Sequence, residues 1–294
     1  MSFYLSTAPN TTVHLCVTQP KTASAKPLLV FLHYWGGSSS TWHKLTSTES
    51  ATSLSCRYPT IAVDLRGWGM SSGSEEDSGS PYSAVKMATD IVSVLSQLKN
   101  HPEHQALLAH GFVLVGHSMG AKVALATISY LPVHLFEGLK GLVLAAPAPP
   151  TALILPPDMK SQQKLAYESE DSVRWTVTNV LANLANLSDG DMEIVVRDSL
   201  AGNRLAKTAW PSYGMEEDIS QDVKAVLSPL AKNIRVRVLT GELDVVEPRD
   251  RVESQVCRFL EDVGVQVSFR SVPGVKHLIP LEAPEAVFEE VSHF

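Results

Sequence analysis

Five consecutive residues carry the strongest chemical signal in the sequence: Gly116-His117-Ser118-Met119-Gly120. A serine flanked at two residues on each side by glycine fits G-x-S-x-G. The stretch before it, Phe112 to Gly116, is a short apolar run, and the stretch after it, from Ala121 to Leu131, reads as a helix. A serine between strand and helix sits on a sharp turn, and the flanking glycines keep Cβ atoms out of that turn. The turn exposes the hydroxyl beside the N–H groups at the start of the next helix, where negative charge is stabilised. Serine is a poor nucleophile alone, so this chemistry also requires a base. A phosphate-binding loop does not fit, because no Gly-Lys-Ser/Thr follows.

The elements that must hold this corner are legible around it. Pro27–His33, Tyr58–Asp64, Phe112–Gly116, Gly141–Pro147 and Ile234–Gly241 are short apolar or β-branched runs. The first four are nearly continuous in apolar character, as expected of strands buried on both faces. Pro81–Leu98 carries apolar residues at helical spacing, and Arg249–Val263 also reads as a helix. Val13–Thr18 alternates and predicts an antiparallel edge strand. Strands alternating with helices imply an α/β fold with a mostly parallel central sheet flanked by helices.

The alternation stops between about Pro149 and Pro229. That segment reads as consecutive helices, with Glu170, Asp171 and Ser172 as first-turn or capping residues and Gly202 as a stop. We therefore expect a core formed by residues 1–148 and 230–294, with residues 149–229 inserted as a helical lid.

Taken together, these motifs resemble the α/β-hydrolases, over Pro27 to Phe294 apart from the lid. In that family the order is nucleophile, then acid, then histidine. The resemblance implies His277 as the base, in the loop after the alternating run "VQVSFRSV" and before a helix from about Ala283. His293 lies at the chain end, and His33 and His117 are expected to shape the site. The acid is Asp244, in the loop "TGELDVVEP" after a strand, with Glu242 and Glu247 as fallbacks. An acid after the preceding strand is disfavoured, since that loop has none before Asp158.

Two backbone N–H groups should form the oxyanion hole. The resemblance assigns one to Met119 and the other to Trp35 in His33-Tyr34-Trp35-Gly36-Gly37, with Tyr34 as the alternative donor. Tyr34 stands where relatives usually carry glycine, which questions the local backbone. Tyr34, His117, Trp175 and Trp210 are expected to line the substrate pocket. "DLRGWGMSSG", Asp64 to Gly73, is a family hallmark with a structural role, and Asp64 and Arg66 are expected as a buried pair.

The implied activity is a serine hydrolase that cleaves a carboxylic ester or lactone of a small-to-medium hydrophobic substrate, without cofactor or metal. Other Ser-His-Asp chemistry of the fold stays open, namely perhydrolase or haloperoxidase-like and carbon–carbon bond cleavage, as does a ligand-binding protein that keeps the triad. A scaffold role is disfavoured because no triad member is missing.

Composition agrees with an enzyme on a small molecule. The chain has 294 residues and a net charge of -7, with no basic block, which argues against nucleic acid. Three widely spaced cysteines, Cys16, Cys56 and Cys257, argue against a disulfide framework or a cysteine metal site. The N-terminus turns polar after five residues, unlike a secretory signal, and no apolar run is long enough to span a bilayer. A cytoplasmic protein is the expectation; the oligomeric state is not legible.

Overall fold

The computed structural model describes residues 1–22, 24–76, 78–228 and 234–294. Eight strands form one sheet: β1 Ser2–Ala8, β2 Thr11–Thr18, β3 Leu28–Leu32, β4 Thr60–Val63, β5 Phe112–His117, β6 Leu139–Ala145, β7 Arg235–Gly241 and β8 Gln266–Val272. Their order is β1-β2-β4-β3-β5-β6-β7-β8. The pairs β1/β2 and β2/β4 are antiparallel, and all pairs from β4 to β8 are parallel.

The five residues of β3 show why its sequence is apolar throughout. Leu28, Val30 and Leu32 join one core cluster, while Leu29 and Phe31 join a second on the other face. A strand with helices on both sides has no solvated face to carry polar residues. The helix Ala84–Asn100 begins at Ser83, whose side chain accepts the Lys86 N–H, and buries Met87, Ala88, Ile91, Val94, Leu95 and Leu98. The helix Met119–Tyr130 is buried over its first ten residues, so it has little amphipathic character and packs as a central rod against β3, β5 and β6 in the middle of the sheet.

Two expectations are corrected. Val13–Thr18 lies within β2, but β2 is not the edge: β1 covers it. The six ladder positions from Ser2 to Ala8 exist only by pairing with β2. Asp64 and Arg66 do not pair with each other. Asp64 accepts from His14 Nδ1 (2.8 Å) and from the Ser39 and Met70 N–H groups (2.5 and 2.9 Å). Arg66 instead forks onto both oxygens of Asp90 (2.5 and 2.7 Å), which reaches it from the Ala84–Asn100 helix. The loop after β4 is thereby pinned to three separate elements.

Between β6 and β7 the chain is helical. The longer pieces are Pro157–Leu165, Glu170–Thr176, Asp189–Ala201, Arg204–Ala209 and Ser220–Leu227. Ser169 caps the second of these in a box with Ser172, so Glu170 and Asp171 occupy its first turn. Gly202 ends the third. Val173, Val177 and Val195 of this helical segment belong to the same core cluster as β3 and β5, so the segment has no separate core. The expected return to the core, at residues 229 and 230, lies outside the described residues. Among the described residues no helix is long and apolar enough to cross a membrane.

Candidate active site

Ser118 follows β5 at φ 53° and ψ −115°, a backbone conformation that costs a non-glycine residue about 1–3 kcal/mol. The surroundings hold it there. Its N–H donates to Ala145 O at 2.9 Å, and its carbonyl accepts from Ala121 at 2.9 Å. A Cβ on Gly116 would lie 2.6 Å from Ala121 Cα, and one on Gly120 would lie 2.2 Å from Leu32 O. Neither position admits a side chain. Met119 opens the helix, so its N–H has no intrahelical acceptor and points from the helix start.

His277 lies in the loop after β8 and is almost fully buried. Its Nδ1–H donates to Asp244 Oδ2 at 2.8 Å. Asp244 is fixed in turn, since its Oδ1 accepts the Val246 and Glu247 N–H groups at 2.8 and 3.0 Å. With Nδ1 protonated, Nε2 of His277 is the free base, and the ring lines the same cavity as Ser118. Burial disfavours the imidazolium, but the charge and hydrogen bond of Asp244 outweigh it and hold the His277 pKa above its ordinary value. Ser118 Oγ makes no hydrogen bond to His277 among the described residues; both open onto the cavity.

The loop after β3 brings the remaining pieces. Tyr34 O accepts from His33 Nδ1 (2.7 Å) and from the Gly37 N–H (3.0 Å). A trans peptide points its C=O and N–H in opposite directions, so gripping the Tyr34 carbonyl aims the Trp35 N–H the other way. His33 Nε2 accepts the Leu65 N–H at 3.0 Å, which leaves His33 neutral and structural. Tyr34 does not need the freedom of the usual glycine. Positive φ in this loop belongs to Gly36, at 98°. The Tyr34 ring is buried, sits 5.1 Å from the His117 ring, and forms part of the cavity wall.

The cavity measures about 440 Å³, a size suited to a small organic ligand. Tyr34, Trp35, Trp175 and Trp210 line it, with Leu153, Met159, Val180 and Met215 among its other apolar walls. Trp175, Met159 and Val245 also lie 63%, 49% and 66% exposed, so the mouth is apolar as well. His117 is not placed in the wall. It is fully buried, and its Nε2 donates to the His277 carbonyl at 2.8 Å. Burial, with His277 beside it, keeps it well below the ordinary imidazole range and therefore neutral.

Two neighbours of His277, Glu282 and Leu181, were not assigned from sequence, and a third, Glu247, was expected only as a fallback acid. Glu282 accepts from the N–H groups of Lys276 (3.2 Å), Leu278 (3.1 Å) and Asn183 (2.8 Å), tying the histidine loop to the lid. Leu181, in the lid, accepts the N–H groups of His277 and Leu278 at 2.9 and 3.1 Å. Glu247, a fallback acid, lines the cavity, nearly buried, with Arg251 at 3.4 Å. It holds no contact to His277 Nδ1, which Asp244 occupies. Burial pushes its carboxyl up to about 7. No spacing rule marks these residues; Glu282 offered only an acid at the start of a helix.

A family model described as the alpha/beta hydrolase family matches residues 29–290. The chain belongs to the alpha/beta hydrolase family. Solved structures agree on the fold of this hydrolase. Bromoperoxidase from Bacillus anthracis is 15% identical, with a TM-score of 0.73 over 96% of this chain and 95% of that one. A thermophilic esterase from Thermogutta terrifontis is 22% identical, with a TM-score of 0.67 over 96% and 93%. The enol-lactonase from Burkholderia xenovorans is 14% identical, with a TM-score of 0.71 over 99% and 98%. No curated protein matches the chain. At these identities the likeness speaks for the fold alone.

Proposed function

We propose that this hydrolase cleaves a carboxylic ester or lactone of a small-to-medium hydrophobic substrate through an acyl-enzyme on Ser118. One observation carries the reading: a serine in a strained corner shares a largely apolar cavity with a histidine held by Asp244 in the tautomer that leaves Nε2 free.

The steps follow from these positions. His277 Nε2 takes the Ser118 proton as Oγ attacks the substrate carbonyl carbon. The carbonyl oxygen becomes an oxyanion and receives the Met119 and Trp35 N–H groups, each worth about 3 kcal/mol in the barrier. Asp244 stabilises the imidazolium and stays ionised. The imidazolium then gives its proton to the departing alkoxide. Water, deprotonated by the same Nε2, attacks the acyl carbon and releases the acid, restoring Ser118. The exposed apolar mouth at Trp175 and Val245 favours substrates with an aliphatic or aromatic end.

Labelling with a fluorophosphonate, followed by peptide mass spectrometry, tests the nucleophile directly. Wild type is expected to carry the phosphonyl group on Ser118 and to turn over p-nitrophenyl esters. Ser118→Ala should lose the label and at least about 10⁴-fold in kcat. A folded wild type that takes no label would overturn the reading.

A further inference from the structure

The lid does more than cover the cavity: it grips the backbone that presents the oxyanion donor. Two lid hydroxyls land on consecutive carbonyls of that loop. Tyr167 Oη donates to Trp35 O at 2.8 Å, and Ser199 Oγ donates to Gly36 O at 2.9 Å. Both residues are buried. Neighbouring contacts join the same two segments, with the loop as donor. Trp35 Nε1 donates to Lys207 O at 3.0 Å, and Ser38 Oγ donates to Asp198 Oδ2 at 2.5 Å. The Tyr167 ring packs on the Trp35 ring with centroids 4.3 Å apart.

The loop and lid are also matched in shape. Gly36 adopts φ 98°, and a Cβ there would lie 2.5 Å from the Tyr167 ring. The peptide before Trp35 is held through Tyr34 O, by His33 Nδ1 and the Gly37 N–H. Of the two peptides after it, the first has its carbonyl bonded to the lid, and the second is held by the lid at Gly36 O and by the turn at the Gly37 N–H. A backbone fixed on one side alone retains its φ/ψ freedom, and catalytic donors lose effect when misplaced by about 1 Å.

We propose that Tyr167 and Ser199 are positioning residues of the oxyanion hole: by holding the Trp35 and Gly36 carbonyls they set the backbone that presents the Trp35 N–H to the reacting carbonyl. The proposal rests on the serine hydrolase reading above. It assigns the lid a part in the chemical step, separate from any part in substrate size selection. Neither residue touches the reacting atoms.

The test uses the full chain with Tyr167→Phe, Ser199→Ala and the double variant. Tyr167→Phe removes one hydroxyl and keeps the ring, so the fold should survive; thermal unfolding checks this. Each single variant should lose about 10-fold in kcat, and the double up to about 100-fold, with KM within about twofold of wild type. Affinity for a trifluoromethyl ketone, which forms the tetrahedral oxyanion, should fall in parallel with kcat. Affinity for the corresponding trifluoromethyl carbinol, which forms no oxyanion, should hold. Asn179→Ala, which removes only a contact within the lid to Trp175 O, should leave kcat unchanged.

The outcomes separate the two readings. A wild type that labels and turns over, while Tyr167→Phe and Ser199→Ala keep its kcat, overturns the positioning role alone. A rise in KM with unchanged kcat also overturns it, because that marks a binding contact. A wild type that neither labels nor turns over overturns the hydrolase reading itself.

Discussion

Ser118 and the two loops that face it are held by different parts of the molecule. The serine corner is fixed by the sheet and its own helix, through backbone contacts to Ala145 and Leu32 at strand ends and to Ala121 in the first turn of the helix. The Trp35 and His277 loops are fixed from above as well. Lid residues Tyr167, Ser199 and Leu181 bind their backbones, and Glu282 binds the lid to the histidine loop. The nucleophile is thus built in with the core. In the proposed mechanism its oxyanion donor and its base depend on the helical segment between β6 and β7, so packing of that segment is expected to change catalysis without touching the serine.

The largest expected effect asks whether the lid alone could orient the base. Asp244→Asn keeps an oxygen for the Val246 and Glu247 N–H groups but offers an amide N–H toward His277. The imidazole must then place its proton on Nε2, and the serine proton has nowhere to go. Loss of about 10⁴-fold in kcat is expected, measured at saturating ester, with little change in thermal stability. A loss below tenfold would mean that Asp244 does not set the tautomer of His277, and that holding the loop backbone, as Leu181 does, is enough to place the base.

The corner should fail differently. Gly120→Ala places a Cβ against the Leu32 and His33 carbonyls, at 2.2 and 2.5 Å, and backbone atoms cannot swing aside. We expect a destabilisation of about 3 kcal/mol. That corresponds to a thermal midpoint lower by roughly 6–12 °C for a domain of this size. Tyr167→Phe, by contrast, should cost mainly rate. If Gly120→Ala unfolds at the wild-type temperature, the corner is softer than its contacts imply and the contrast weakens.

This division also marks what sequence can and cannot reveal. The corner was readable because all its requirements lie within five adjacent residues: strand, serine, two glycines, helix. β3 and the runs within β4, β5 and β6 were readable because burial on both faces leaves them nearly all apolar, and β7 was readable from its alternating valines although it carries Arg235 and Arg237. β1 was missed because Ser2–Ala8 becomes a strand only against β2. Asp64 and Arg66 sit two apart, yet their partners, His14 and Asp90, are 50 and 24 residues away. Tyr167 reaches Trp35 across 132 residues. A hydroxyl in a helical segment carries no local mark of such a target, so the lid's grip on the site emerges only from the folded chain.

The smallest expected effect concerns Glu247, which lies on the core side of the cavity beside the base. Burial raises its carboxyl to about 7, while Arg251 and His277 act against that rise and Asp244 adds to it. Ionised Glu247 in turn favours protonated His277. The two groups therefore titrate as a coupled pair, and the acid limb of kcat/KM, which needs neutral His277, should be shallower than for a lone histidine. Glu247→Gln should give a steeper limb at lower pH. Stability carries a matching sign. An acid whose folded pKa lies above its unfolded value binds the proton more tightly when folded. Its stabilisation is therefore present below the unfolded pKa near 4.5 and is lost as pH rises toward 7. Thermal midpoints of Glu247→Gln and wild type should thus differ progressively in favour of the variant from pH 5 to pH 8. A kcat/KM limb that stays in place while the midpoints diverge would confine Glu247 to the fold, leaving control of His277 to Asp244 and its other neighbours.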